Sequence, residues 1–171
     1  MKHNLRITVL MLVVFMLAQL IGLAVVQNYV DVENTASTGT VQFERLPLGI
    51  ERPQVEEQTS FVYIIVAVIA GTLLFLLLMK LNVGFLFKVW YFMAIFLTLT
   101  ISFGAFVSSL FAAIAAGVLA LWKMLKPNII VHNITELFVY GGLAAIFVPI
   151  MNVFSGIMML LLISVYDMYA V

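Results

Sequence analysis

A single carboxylate, Asp167, interrupts the apolar run LLISVYDMYAV from Leu161 to Val171. No residue near it in sequence can neutralise it. A carboxylate at mid-membrane costs about 2.5–3.5 kcal/mol on insertion scales, so one that is kept there usually has a role. Three chemistries fit it. It can be one half of an aspartyl dyad, in which two close carboxylates share a proton and act as acid and base. It can be a proton or cation site in a transporter or channel. It can also be an assembly contact paired with a residue of another chain, in a scaffold without catalysis. Glu136 opens another apolar stretch, and His3 and His132 stand near the ends of predicted helices. With no cysteine, disulfides, thiol nucleophiles and thiolate metal sites are excluded. No cluster resembles a metal site, and there is no phosphate-cradling glycine loop or basic stripe. No cofactor, metal or nucleic-acid partner is therefore expected.

The elements that hold these residues are apolar. Of the 171 residues, 65% are hydrophobic and 9% charged, whereas about a quarter are charged in a soluble domain. Several apolar runs reach the length that spans a bilayer, which marks a multi-pass integral membrane protein. Ile7 to Val26 reads as a retained first helix, because it exceeds the 7–15 apolar residues usual for a signal-peptide core. Gln19 within it is expected to bond a neighbouring helix. Residues 27–60 form the only long polar segment, with six acids against Arg45 and Arg52, and with Pro47, Pro53, Gly39 and Gly49 as breaks. It reads as a solvated loop of partial order, with Val41–Phe43 as an isolated short strand.

Phe61 to Met79 is a second uncharged span, followed by the basic connection Lys80–Lys88. The 34 uncharged residues from Val89 to Trp122 would make a helix of about 51 Å, too long for one crossing. Two helices with a turn near Ser102–Gly104 are expected instead. The second carries small residues every four positions: Ala105, Ser109, Ala113 and Gly117, beside Ser108, Ala112, Ala116 and Ala120. This spacing lets backbones approach closely and places the helix centrally in a bundle. Asn133 and Glu136 match a capping-box variant at the start of the next helix. The 38 residues from Ile134 to Val171 again provide two crossings, with the turn at Pro149–Asn152.

An all-α bundle of six transmembrane helices follows, in one domain over 1–171, at roughly 7–26, 61–79, 84–103, 105–122, 134–149 and 153–171. With the N terminus cytoplasmic, Lys2, Arg6, Lys80, Lys88, Lys123 and Lys126 all face the cytoplasm and only Arg45 and Arg52 lie outside. Asp167 then lies about 21 Å along the sixth helix, in the inner third of the membrane, and Glu136 lies within about 5 Å of the inner surface. The Asn133 glycosylation sequon is discounted because it would face the cytoplasm.

Ile163-Ser164-Val165-Tyr166-Asp167, continuing through Ala170-Val171, resembles the tyrosine–aspartate motif in the sixth transmembrane helix of presenilins, shared by archaeal presenilin homologues and signal peptide peptidases. Gly84-Phe85-Leu86-Phe87-Lys88 resembles that family's connection between helices two and three. The helix count, cytoplasmic N terminus and long external first loop also match. The resemblance implies an intramembrane aspartyl protease that cleaves transmembrane helical protein substrates, with Asp167 as one catalytic aspartate and Tyr166 beside it as a substrate contact. It implies a second aspartate in a Gly-x-Gly-Asp motif on helix seven of about nine, and a Pro-Ala-Leu motif on helix nine. Neither motif is in this sequence, so the chain is expected to be the N-terminal six-helix portion, inactive without its C-terminal portion. Glu136 is not expected to replace the missing aspartate, because capping accounts for it.

Overall fold

A computed structural model of the chain describes residues 5–55, 59–81, 83–126 and 128–170, with the side chains of Tyr166, Asp167, Tyr169 and Ala170 outside the described part. The architecture is helical: α1 Leu5–Asn28, α2 Val32–Thr38, α3 Ser60–Lys80, α4 Gly84–Gly104, α5 Ser109–Leu125, α6 Ile129–Phe147 and α7 Val153–Ala170. Two short strands, β1 Val30–Asp31 and β2 Gln42–Phe43, pair antiparallel. In α1, α3, α4 and α6, the last continued by a 3-10 turn to Ile150, the chain is long and apolar enough to cross a membrane. A helix satisfies its own backbone polar groups, which hydrocarbon cannot do.

The chain forms two compact units. The first comprises residues 1–51 and 91–146. In it, α4, α5 and α6 share a core of Ile95, Leu99, Ala116 and Ala120, bordered by Phe92, Phe96, Phe103 and Phe138. Ala112, Ala116 and Ala120 recur every four residues on α5 and are all fully buried. The small-residue face therefore serves close packing. The other face of α5, with Leu110, Phe111, Ile114 and Val118, is exposed. Within this unit the small residues of α5 fit one side of the helix.

On α6 the closest approach is at Gly142, where a Cβ would overlap the Thr98 carbonyl of α4. One position earlier, Gly141 lies under Ser102, Val25 and Ile21, and Gly22 of α1 approaches Ala144. Glycine is needed at 142 because a Cβ there would part the helices, whereas at 141 it would meet the Ser102, Val25 and Ile21 side chains at 3.0–3.4 Å.

Residues 29–50 are more ordered than a solvated loop. Tyr29 follows α1 directly and is buried with Leu46, Val25, Ile101 and Ala145. Its phenol donates a 2.7 Å hydrogen bond to the Ile101 carbonyl of α4. The β1–β2 pair sets Val30 opposite Phe43 and Asp31 opposite Gln42, and the Glu44 N–H bonds the Tyr29 carbonyl at 2.8 Å. Phe43 is thus paired and not an isolated strand residue. Asp31 caps α2 through Asn34 N–H at 3.0 Å, and Gly39 ends α2 at φ 71°. Pro47 then packs against Gly104, the last residue of α4, where no Cβ would fit.

The second unit comprises residues 52–90 and 147–171. Here α3 packs on α7, with the Phe61 and Phe154 rings edge to face at 6.2 Å and Ile64 buried. Asn152 caps α7 by accepting the Ser155 N–H at 2.7 Å. The turn before it, Val148–Ile150, falls at the expected Pro149.

Three expected boundaries move. The turn expected near Ser102–Gly104 falls after Gly104, because Phe106 and Val107 N–H groups both close on the Phe103 carbonyl. The following helix accordingly begins at Ser109. The third is α6, which starts at Ile129, not near Asn133, because Asn128 supplies its cap: Oδ1 accepts Ile130 N–H at 3.0 Å and the carbonyl accepts His132 N–H at 2.8 Å. The capping box at Asn133 and Glu136 is therefore overturned, since both lie inside α6.

Candidate functional site

Of the chain's eight acidic residues, six lie in the polar segment 27–60. Glu136 and Asp167 are the two set in apolar helices. Asp167 and Tyr166 are adjacent in the last turns of α7, a helix that runs unbroken from Val153 to Ala170. Asp167 lies 14 residues past the helix start, about 21 Å of helix rise, as the sequence predicts. Their side chains fall outside the described part, so the structure gives α7 as their carrier and no contacts for them.

Glu136 belongs to the first unit, and its surroundings are well defined. It lies seven residues into α6, about 10 Å along the helix, deeper than the 5 Å expected from a start at Asn133. Lys123, in the last turn of α5, donates to Glu136 Oε1. The Lys123 side chain is only 5% exposed and that of Glu136 is 30% exposed. The Lys123 ammonium also stands 5.9 Å from the centre of the Tyr91 ring of α4, within cation–π range. His132, one turn before Glu136, brings Nε2 to 4.0 Å of the same carboxylate oxygen. Glu136 is therefore neutralised by a lysine from a neighbouring helix, and its role is electrostatic pairing in place of helix capping.

The Lys123 pairing was not foreseen. The sequence reading ended the fourth apolar helix at Trp122 and gave Lys123 to a connecting loop. In fact α5 runs three residues further, to Leu125, which carries Lys123 inward. The signal was available: Glu136 is an unneutralised acid in an apolar helix, and Lys123 ends the helix before it.

Ser102, buried between α4 and α6, has no hydrogen-bond partner for its hydroxyl. It faces Gly141 of α6, where an added Cβ would come within 3.0 Å of the hydroxyl. Among the described residues no group of three or more histidine, aspartate or glutamate side chains gathers as a metal would require. Thr135, the third residue of the sequon, is buried and its hydroxyl bonds the Val131 and His132 carbonyls.

These features define a helical protein with four helices apolar and long enough for a bilayer and with Asp167 carried on α7. Neither family models, nor curated proteins, nor solved structures give a match to the chain.

Proposed function

We propose that the chain is the N-terminal part of a presenilin-like intramembrane aspartyl protease and supplies one of its two catalytic carboxylates, Asp167. The reading rests on one observation: Ile163-Ser164-Val165-Tyr166-Asp167 falls on α7, an apolar helix that follows α1 and α3–α6. The pairing of Glu136 with Lys123 supports it indirectly, because a carboxylate held by a lysine does not share a proton with a second acid. The resemblance to presenilins implies that the partner carboxylate comes from a Gly-x-Gly-Asp motif, which this sequence does not contain.

The six helices α1 and α3–α7 all cross the membrane in this reading. The N terminus is cytoplasmic, with lysines and arginines concentrated at that face. The substrates are transmembrane helices of other proteins. In hydrolysis one carboxylate takes a proton from water as its oxygen attacks the peptide carbonyl carbon, and the protonated partner gives its proton to the carbonyl oxygen. Collapse of the tetrahedral intermediate breaks the C–N bond, and the leaving nitrogen takes a proton back from the dyad. The pair titrates as a unit. Tyr166 flanks the reacting centre as a substrate contact.

The test is Asp167→Ala in the complete protein, assayed on a helical membrane substrate in detergent or vesicles. Cleavage is expected to fall to background, whereas full activity would sink the assignment. The purified 1–171 chain is expected to be inactive, and robust proteolysis by it would show that one aspartate suffices.

A further inference from the structure

Leu48 has the one positive φ of any non-glycine residue among those described, at φ 60°. Its neighbour Gly49 is also positive, at φ 70°. An L-residue adopts this conformation only at an energetic cost, and glycine or asparagine is the usual occupant. Retaining a leucine there calls for a compensating interaction, yet the Leu48 side chain is 55% exposed and turned away from the protein core. The residues on each side are fixed: Leu46 and Pro47 are buried, and Pro47 is wedged on Gly104. The turn therefore holds Leu48 outward on a rigid base.

The height of that base is set by the helices. Gly104 ends α4, and Tyr29 follows the last residue of α1. Both helices are long and apolar enough to cross a bilayer, so their ends mark the edge of the hydrocarbon layer in either orientation. Phe106 and Val107, two and three residues past Gly104, are exposed as well. Glu44, Arg45 and Glu51 flank the turn and are exposed, as suits the headgroup layer. We infer that the Pro47–Gly49 turn and the α4–α5 connection form an interfacial anchor, with Leu48 and Phe106 seated at the headgroup–acyl boundary of a phospholipid bilayer. The apolar contact with lipid compensates the strained backbone of Leu48. Residues 29–50 thereby lie on the membrane surface instead of projecting into solvent. This rests on α1 and α4 crossing the membrane, and not on the protease reading.

The chain has no cysteine of its own, so single cysteines introduced into it can be spin-labelled in the complete protein in phosphatidylcholine vesicles once any cysteine elsewhere is replaced by serine. Labels at L48C and F106C are expected to collide more with oxygen than with a water-soluble nickel chelate, while a label at S37C on α2 shows the reverse. A label at L10C, midway along α1, tests the crossing itself. A lipid-facing L10C with a water-facing L48C overturns the anchor and leaves the crossing intact. An L48C label shielded from both reagents also overturns it, since the side chain is then covered by protein. A water-facing L10C removes the crossing and the anchor together.

Discussion

Lys123 of α5 and Glu136 of α6 meet across the corner between their helices, with the lysine nearly out of solvent and the glutamate partly in it. This asymmetry predicts unequal substitutions. Glu136→Ala leaves a buried ammonium with only the Tyr91 ring for company and should cost about 2 kcal/mol, less than for a fully buried pair because of the partial exposure. Lys123→Met keeps the volume, leaves the carboxylate access to water and should cost below about 1 kcal/mol. Thermal unfolding in detergent ranks the two, and the reverse order would show that the pair is not limited by lysine burial.

Under the proposed protease reading, the same pairing sets Glu136 apart from Asp167. In the complete protein, Glu136→Gln should retain most of the cleavage rate and Asp167→Asn should lose it. Equal losses in correctly folded variants would make Glu136 an acid of the reaction, against expectation.

Two glycines at contrasting sites test helix approach. Gly142→Ala places a methyl group into the Thr98 carbonyl and should destabilise by at least about 2 kcal/mol, since backbone cannot yield as a side chain does. Gly71→Ala on α3 meets nothing within 4 Å and should be neutral or stabilising by up to about 1 kcal/mol from helix propensity. Matched losses at both sites in unfolding experiments would refute the close approach of α4 and α6.

Asp31 gives a pH prediction. Its carboxylate accepts the backbone N–H of Asn34 first and the Asn34 side-chain amide second, and these hold its pKa below the ordinary 3.8. A depressed acid contributes its cap above the unfolded value and loses it as pH falls through the folded value. The cap should therefore be intact from neutral pH to about pH 4 and weaken only below. The Asn34 amide resonance should titrate with a midpoint under 3.8, and Asp31→Asn should abolish that titration while keeping the helix start. A midpoint above it would mean that the bonds to Asn34 do not form.

Most of the helical pattern was legible because long apolar runs alternate with charged or Pro/Asn-containing breaks. Lys80, Pro149 and Asn152 each stand at a boundary, and α3 and α7 start and stop within a residue or two of expectation. The misses have local causes. Asn128 and Asn133 are both competent caps by residue type, and only the Asn128 Oδ1 bond to Ile130 N–H distinguishes them. Two-residue strands such as Val30–Asp31 have too short a pattern to announce themselves, so the hairpin and the burial of Tyr29 were invisible until Phe43 and Ile101 were brought near. At the candidate site, α7 as the carrier of Tyr166-Asp167 could be read from the motif and the helix length. The partner of Glu136 is signalled only by the charges of Lys123 and Glu136, because their meeting depends on the three residues by which α5 extends past Trp122.

The hydrogen bond from Tyr29 to the Ile101 carbonyl joins positions 72 residues apart. That spacing has a consequence for synthesis. At roughly 5–20 residues per second, the segment after α1 waits about 4–14 s for its docking site to be made. During that interval Tyr29, Leu46 and Pro47 are uncovered and the hairpin has nothing to close against. Maturation of this surface is therefore timed by the emergence of α4. A ribosome-stalled chain ending before Ile101 should leave residues 29–50 open to added protease, and one extended well past Gly104 should not.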